Sequence, residues 1–85
     1  MHELGVLRHI VKTVMRIAEE QHIAQISHIA LEVGDTSGFV PQYLTRLFPV
    51  AVDPFPALQG AELRISMVPG GGLVIKEIGY EKVKP

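Results

Sequence analysis

The sequence predicts an α+β domain in which two helices pack on one face of a small three-stranded sheet. Three observations support this prediction. Apolar residues recur with helical spacing over residues 4–21, and apolar and polar residues alternate over residues 26–34 and 61–67. A second, shorter helical pattern begins at Pro41. The predicted order is therefore helix, strand, helix, strand, strand, with both helices covering the apolar side of the sheet.

The first predicted helix spans residues 4–21 and is amphipathic. Apolar residues at intervals of three or four form one broad side, which contains Leu4, Leu7, Ile10, Val11, Val14, Ile17 and Ala18. The opposite side is charged and contains Arg8, Lys12, Arg16, Glu19 and Glu20. This pattern indicates a helix that buries its apolar side against the rest of the domain.

The predicted strands follow from alternation with a period of two. In the first strand, residues 26–34, the alternation places one set of side chains on the core, namely Ile29, Leu31 and Val33. The second strand, residues 61–67, likewise has Leu63, Ile65 and Met67 on one side. Residues 73–83 form the last strand after a glycine turn. We expect the last two strands to pair as a hairpin, with the first strand joining them.

Proline residues shape the middle of the chain. Pro41 suits the first position of a helix, and Leu44, Leu47 and Phe48 would then share one inward side. Pro49 lacks the backbone N–H that a continuing helix needs, so we expect this helix to end early. Residues 49–60 are proline-rich and are predicted to form an extended connection on the surface.

Composition excludes several classes of function. Eighty-five residues with 47% hydrophobic content suit one globular domain, residues 1–85. The net charge of −1, without a cluster of lysine and arginine in one segment, argues against a nucleic-acid partner. No apolar run is long enough to span a membrane, and no leader pattern is visible, so we expect a cytoplasmic protein. The chain contains no cysteine, which excludes disulfides and thiolate zinc sites.

No constellation of residues predicts catalysis, and we expect the protein not to be an enzyme. Its serines lack the context of an activated nucleophile. The glycines after Pro69 are followed by a predicted strand, whereas a phosphate-binding loop is followed by a helix. Three histidines, His9, His22 and His28, are predicted to be ordinary surface or boundary residues, and no pair of them has the helical spacing of a zinc site.

The fourth histidine, His2, lies one residue from the start of the sequence. The Met1 amine, the His2 amide nitrogen and the His2 imidazole can form fused chelate rings, an arrangement that suits square-planar Ni(II) or Cu(II). The amide nitrogen or the carboxylate of Glu3 could supply a fourth ligand. The simpler interpretation is that Glu3 complements the helix dipole in the first turn and that His2 has no role.

Four segments together resemble the HypA family of nickel metallochaperones. They are "MHELG" before the first helix, "IALEVGDTSGFVP" after it, "GAELRI" in the second strand and "IKEI" in the last strand. The resemblance implies nickel binding at Met1, His2 and Glu3. It also implies transfer of Ni(II) to a nickel-handling maturation GTPase or to the large subunit of a [NiFe]-hydrogenase, and in some bacteria service to urease.

The chain departs from this family pattern at one place. Family members carry a zinc-binding lobe with two Cys-x-x-Cys pairs between the last two strands, whereas this chain has a short glycine turn at residues 69–72 and no cysteine. We therefore expect no zinc. A deliberate deletion of the zinc lobe and a naturally shortened paralogue would both explain the glycine turn that connects the two strands. Because the shortening exposes strand edges, a homodimer is an expected assembly, and a metal-free interaction or dimerisation module is the alternative function.

Overall fold

The computed structural model describes residues 3–82 and confirms the predicted α+β class and order of elements. Helix α1 spans Glu3–Glu20 and is followed by strand β1, Ile23–Gly34. Helix α2 spans Pro41–Val52, and a single 3₁₀ turn covers Pro56–Leu58. Strands β2, Glu62–Val68, and β3, Leu73–Lys82, complete the sheet. Within the described residues no helix combines the length and apolarity needed to cross a bilayer.

The predicted hairpin between the last two strands is wrong, because β1 lies between them. The order in the sheet is β2-β1-β3, with β2 parallel and β3 antiparallel to β1. β1 is the most apolar strand, and four of its side chains are at most 1% exposed: Ile26, Ile29, Leu31 and Val33. In the central position, β1 is hydrogen-bonded to a neighbouring strand on both sides. The less buried strands β2 and β3 form the two edges of the sheet, where one side of each strand is unpaired.

The loop at residues 69–72 crosses the end of β1 rather than making a tight turn. The N–H of Gly34 donates a hydrogen bond to the carbonyl oxygen of Gly72 at 2.7 Å, and the N–H of Asp35 donates to that of Val68 at 2.8 Å. Neighbouring strands lie about 4.8 Å apart, so the loop must cover roughly 10 Å to pass from β2 to β3. Four residues are long enough for this step.

Three register shifts interrupt the pairing of β1 with β3, and two of them adjust which side chains face the core. Ser27 is an extra residue between the pairs Ile26–Tyr80 and His28–Gly79, and Lys76 is an extra residue on β3. Because Ser27 interrupts the alternation, Ile26 and Ile29 both face the core although they are three positions apart. Ile29, Leu31 and Val33 are buried as predicted.

The core lies between the two helices and one face of the sheet. Helix α1 contributes the predicted apolar side, of which these residues are buried: Leu7, Ile10, Val11, Val14 and Ala18. Helix α2 contributes Leu44, Phe48, Ala51 and Val52. The prediction of a surface connection over residues 49–60 is wrong in two respects, since the helix occupies its first part and Leu58 of the 3₁₀ turn is completely buried.

Helix α2 continues through Pro49 and does not end before it. A proline in a helix removes the hydrogen bond to the carbonyl four residues earlier, here that of Thr45. Both residues are exposed, so water can reach this part of the helix. Burial of Ala51 and Val52 in the following turn holds the helix together beyond the proline.

Replacing Gly34 by alanine should destabilise the protein. A Cβ at residue 34 would lie 2.2 Å from the oxygen of Gly70 and 2.8 Å from the nitrogen of Gly72, and neither backbone atom can move independently of the loop. We expect a loss of about 1–3 kcal/mol in the free energy of unfolding, measured by urea denaturation. The matched control is Gly5→Ala in α1, where nothing lies within 4 Å of the added atom. That change should raise stability by about 0.5–1 kcal/mol, and equal effects of the two substitutions would contradict the packing argument.

Candidate metal centre

The predicted nickel site lies at the start of α1. Of its three residues, Met1 and His2 lie outside the described residues, so their assignment stays a prediction. Glu3 is the first residue of α1 and is the acidic residue of its first turn. The position of Glu3 agrees with the expected favourable interaction between its carboxylate and the positive end of the helix dipole.

The Glu3 side chain also joins α1 to α2. Its Oε2 accepts a hydrogen bond of 3.4 Å from the backbone N–H of Val40, the residue that precedes the first turn of α2. Val40 provides no side-chain cap, and the first turn of α2 contains no acidic residue. Glu3 therefore supplies from α1 the negative charge that favours the N-terminus of α2. This contact could not be predicted from the sequence, because the two residues are 37 positions apart.

The loop between β1 and α2 fixes where Val40 lies. Asp35 Oδ1 accepts a hydrogen bond of 3.1 Å from the N–H of Gly70, which ties the loop to the connection between β2 and β3. The hydroxyl of Ser37 accepts a 3.2 Å hydrogen bond from the N–H of Phe39. Gly38 has φ of +84°, a left-handed conformation that glycine adopts without steric cost. The segment "GDTSGFVP" is thus a turn that positions the start of α2 against Glu3.

The other histidines are not assembled into a metal site. His9 and His22 are exposed, as predicted. His28 lies on the sheet face opposite the helices, where its Nε2–H donates a 2.7 Å hydrogen bond to Glu77 Oε2. Within residues 3–82, no three histidine, aspartate or glutamate side chains are close enough together to hold a metal ion. The described residues therefore contain no alternative metal site to the candidate nickel ligands at the start of the chain.

The contact between His28 and Glu77 depends on a glycine in β3. His28 pairs with Gly79 across the sheet, and a Cβ at residue 79 would lie 2.1 Å from His28 Nδ1. The absence of a side chain at Gly79 lets the imidazole ring lie over β3 and reach Glu77. The sequence reasoning missed this pair, because the register that brings the two residues together depends on the bulges.

Comparison with known proteins adds the family. A family model described as "Hydrogenase/urease nickel incorporation, metallochaperone, hypA" matches residues 1–73. The chain belongs to the HypA family. This membership confirms the resemblance noted in the sequence, and it agrees with the prediction that the protein is not an enzyme, since the family is one of metallochaperones.

Individual relatives of this HypA chain support the assignment. It is 36% identical over 72 residues to the hydrogenase maturation factor HypA of Trichodesmium erythraeum, covering 85% of this chain and 60% of the relative. The HypA of Chloroflexus aurantiacus is 38% identical over 69 residues, covering 81% of this chain and 60% of the relative. The chain therefore spans about three-fifths of the length of these relatives.

A solved structure shows the same fold. The solution structure of the Ni metallochaperone HypA from Helicobacter pylori has a TM-score of 0.73 to this HypA chain, covering 96% of this chain and 95% of the other. The two are 13% identical, so the likeness concerns the fold alone. The family match ends at Leu73, the first residue of β3. Because the structural match covers 96% of this chain, the likeness extends into β3, beyond the end of the family match.

The ion pair on the outer sheet face should make stability depend on pH. The hydrogen bond from His28, followed by the attraction of its charge, lowers the pKa of the Glu77 carboxyl below its ordinary value. A carboxyl with a lowered folded-state pKa stabilises the fold above its unfolded pKa of about 4.3, and this contribution is lost as the pH falls through the folded-state pKa. Glu77→Gln should therefore reduce the free energy of unfolding at pH about 5 more than at pH about 3.

Urea denaturation at the two pH values measures this difference. The control is Glu19→Gln, which removes an exposed carboxylate of α1 that makes no ion pair within the described residues. A Glu77→Gln effect that is the same at both pH values, or is matched by the control, would show that the His28 contact does not stabilise the fold.

Proposed function

We propose that this chain is a nickel-binding domain that captures Ni(II) at Met1, His2 and Glu3 and passes it to a nickel-handling maturation GTPase or to a hydrogenase large subunit. The observation that supports this most directly is the family match, which begins at Met1 and so includes the Met-His-Glu sequence. The named relatives are hydrogenase maturation factors, which favours hydrogenase over urease as the destination of the metal.

The chemistry of the three residues suits a square-planar ion. The terminal amine, the His2 amide nitrogen and the His2 imidazole supply three nitrogen ligands within two fused rings. Ni(II) favours such nitrogen ligands, and its uptake displaces the amide proton. The ion is cargo in this proposal: the domain binds it and releases it unchanged.

The contacts of Glu3 indicate which of its atoms is available to the metal. Its carboxylate is already engaged with the N–H of Val40. Its own backbone N–H is the first of α1 and has no acceptor within the helix, because the first four N–H groups of any helix lack one. Nickel can replace this amide proton without breaking a helical hydrogen bond. The amide nitrogen of Glu3 is therefore available to the ion, and its carboxylate holds the terminus in place. Because this nitrogen would form a five-membered ring with the His2 amide nitrogen, it enters the square plane beside that nitrogen, in exchange for the Met1 amine or the imidazole.

The alternative is a metal-free interaction or dimerisation module. It is favoured by an open apolar groove between α2 and the edge strand β2, which encloses about 520 Å³ and is lined partly by Leu63, Ile65 and Met67. Met67 is 50% exposed at this edge. Such an edge can pair with another strand, either in a partner or in a second copy of the chain.

Titration calorimetry with nickel sulfate tests the metal proposal on protein that has a free N-terminus and any tag at its C-terminus. We expect one nickel ion per chain and the weak d–d absorption of a square-planar ion. His2→Ala and chemical acetylation of the N-terminus should each remove the high-affinity binding, since each removes a chelating nitrogen. The control His9→Ala changes an exposed histidine of α1 and should bind as the wild type does. Undiminished binding by His2→Ala or by the acetylated protein would contradict the proposal and leave the interaction module as the better description.

Two substitutions at residue 3 distinguish its amide nitrogen from its carboxylate. Glu3→Gln removes the negative charge and keeps the amide, so nickel affinity should stay close to that of the wild type. Glu3→Pro removes the N–H at the first helical position, where proline is well tolerated, so the helix should form but nickel should bind more weakly. Calorimetry measures both affinities, and circular dichroism checks the helix. The reverse order of affinities would assign the ligand at residue 3 to the carboxylate.

A further inference from the structure

A groove between α1 and the C-terminal end of α2 combines an apolar floor with a cationic rim. It encloses about 190 Å³ and is lined by Arg8, Lys12, Val50, Ala51, Pro54 and Phe55. The floor comes from the end of α2 and the residues that follow it. The rim comes from the charged side of α1.

The two rim cations are not neutralised by any carboxylate among residues 3–82. Arg8 and Lys12 are four positions apart, so they lie on the same side of α1, about 6 Å apart along the helix axis. Both are exposed, and within residues 3–82 neither has a carboxylate at ion-pair distance. The next cation on this side, Arg16, lies 3.9 Å from the carboxylate of Glu20. The uncompensated positive charge is thus confined to the part of the helix that borders the groove.

The floor exposes apolar surface that the fold does not cover. Val50 is 51% exposed although it lies on a helix whose neighbouring residues, Ala51 and Val52, are buried. Pro54 is exposed and Phe55 is half-buried. Covering this surface with a partner's apolar side chain would be favourable by the same effect that forms the core. An apolar floor alone would fit many partners. The two cations beside it favour a partner that carries negative charge.

We propose that this groove binds an acidic amphipathic helix of a partner protein. One bulky apolar side chain of the partner occupies the floor, and two carboxylates one helical turn apart pair with Arg8 and Lys12. The net charge of the chain is −1, so the attraction of an acidic partner comes from the two groove cations and not from the charge of the whole molecule. A nucleic acid is less well matched, because it needs a wider field of cations and offers little to an apolar floor. The proposal goes beyond nickel capture, since none of the groove residues is a candidate metal ligand.

Two model peptides of equal length test the proposal. The first, EELLEEFLEE with blocked ends, presents carboxylates beside an apolar stripe. The second, KKLLKKFLKK, keeps the apolar stripe and reverses the charge. Two-dimensional amide NMR should show that the acidic peptide shifts signals from residues 8–12 and 50–55, with an affinity that falls as salt is added. The lysine peptide should bind at least about tenfold more weakly.

Charge reversal in the protein provides the decisive control. Lys12→Glu should weaken binding of the acidic peptide and strengthen binding of the lysine peptide. Lys76→Glu, an exposed lysine of β3 outside the groove, makes the same change in net charge and should have little effect on either. Val50→Ser should weaken binding of the acidic peptide by removing part of the floor. Thermal denaturation confirms that each variant is folded.

Several outcomes would overturn the proposal. One is equal binding of the two peptides, and another is an equal effect of Lys12→Glu and Lys76→Glu. Signal shifts confined to other surfaces would also contradict it. Oligothymidylate that shifts the same groove signals at lower concentration than the acidic peptide would assign the surface to nucleic acid instead.

Discussion

The end of β1 is held by the loop that joins the two edge strands, and the arrangement of the other elements depends on this junction. The backbone N–H groups of Gly34, Asp35 and Thr36 donate to carbonyl oxygens of Gly72, Val68 and Gly70 respectively, at 2.7–2.9 Å. Gly34 is buried, and its missing side chain leaves room for the loop to cross. Because the loop begins at β2 and ends at β3, the same three donors fix the ends of both outer strands. The most apolar strand is thereby kept in the centre of the sheet.

The same junction determines where the start of α1, which carries the candidate metal site, can lie. The chain leaves it through Asp35, whose side chain accepts a hydrogen bond from the loop, and reaches Val40 five residues later. The N–H of Val40 then contacts the carboxylate of Glu3. A short series of hydrogen bonds therefore connects the centre of the sheet to the first turn of α1. In the proposed function this connection holds the start of α1 in place while its unpaired backbone nitrogen is available to the metal.

The two proposed functional surfaces both involve helix α1, one at its start and the other on its charged side. The candidate metal ligands precede or begin the helix, and Arg8 and Lys12 follow within three turns. Glu3 and Lys12 are separated by roughly 14 Å along the axis, so a partner bound in the groove would lie close to the captured ion. This proximity suits the proposed transfer of the ion to another protein. The opposite face of the sheet, with the pair His28 and Glu77, belongs to neither surface.

The sequence by itself determined the fold class, the order of the helices and strands, and the family. Helical periodicity predicted the buried side of α1, alternation predicted that Ile29, Leu31 and Val33 face the core, and the quoted motifs indicated the family. These features depend on neighbouring residues, whose spacing is visible in a linear chain. Only the tertiary structure decided that β1 separates β2 from β3, that α2 continues through Pro49, and that Glu3 reaches Val40. Each of these depends on burial or hydrogen bonding between residues that are distant in sequence, and local preference does not encode such contacts.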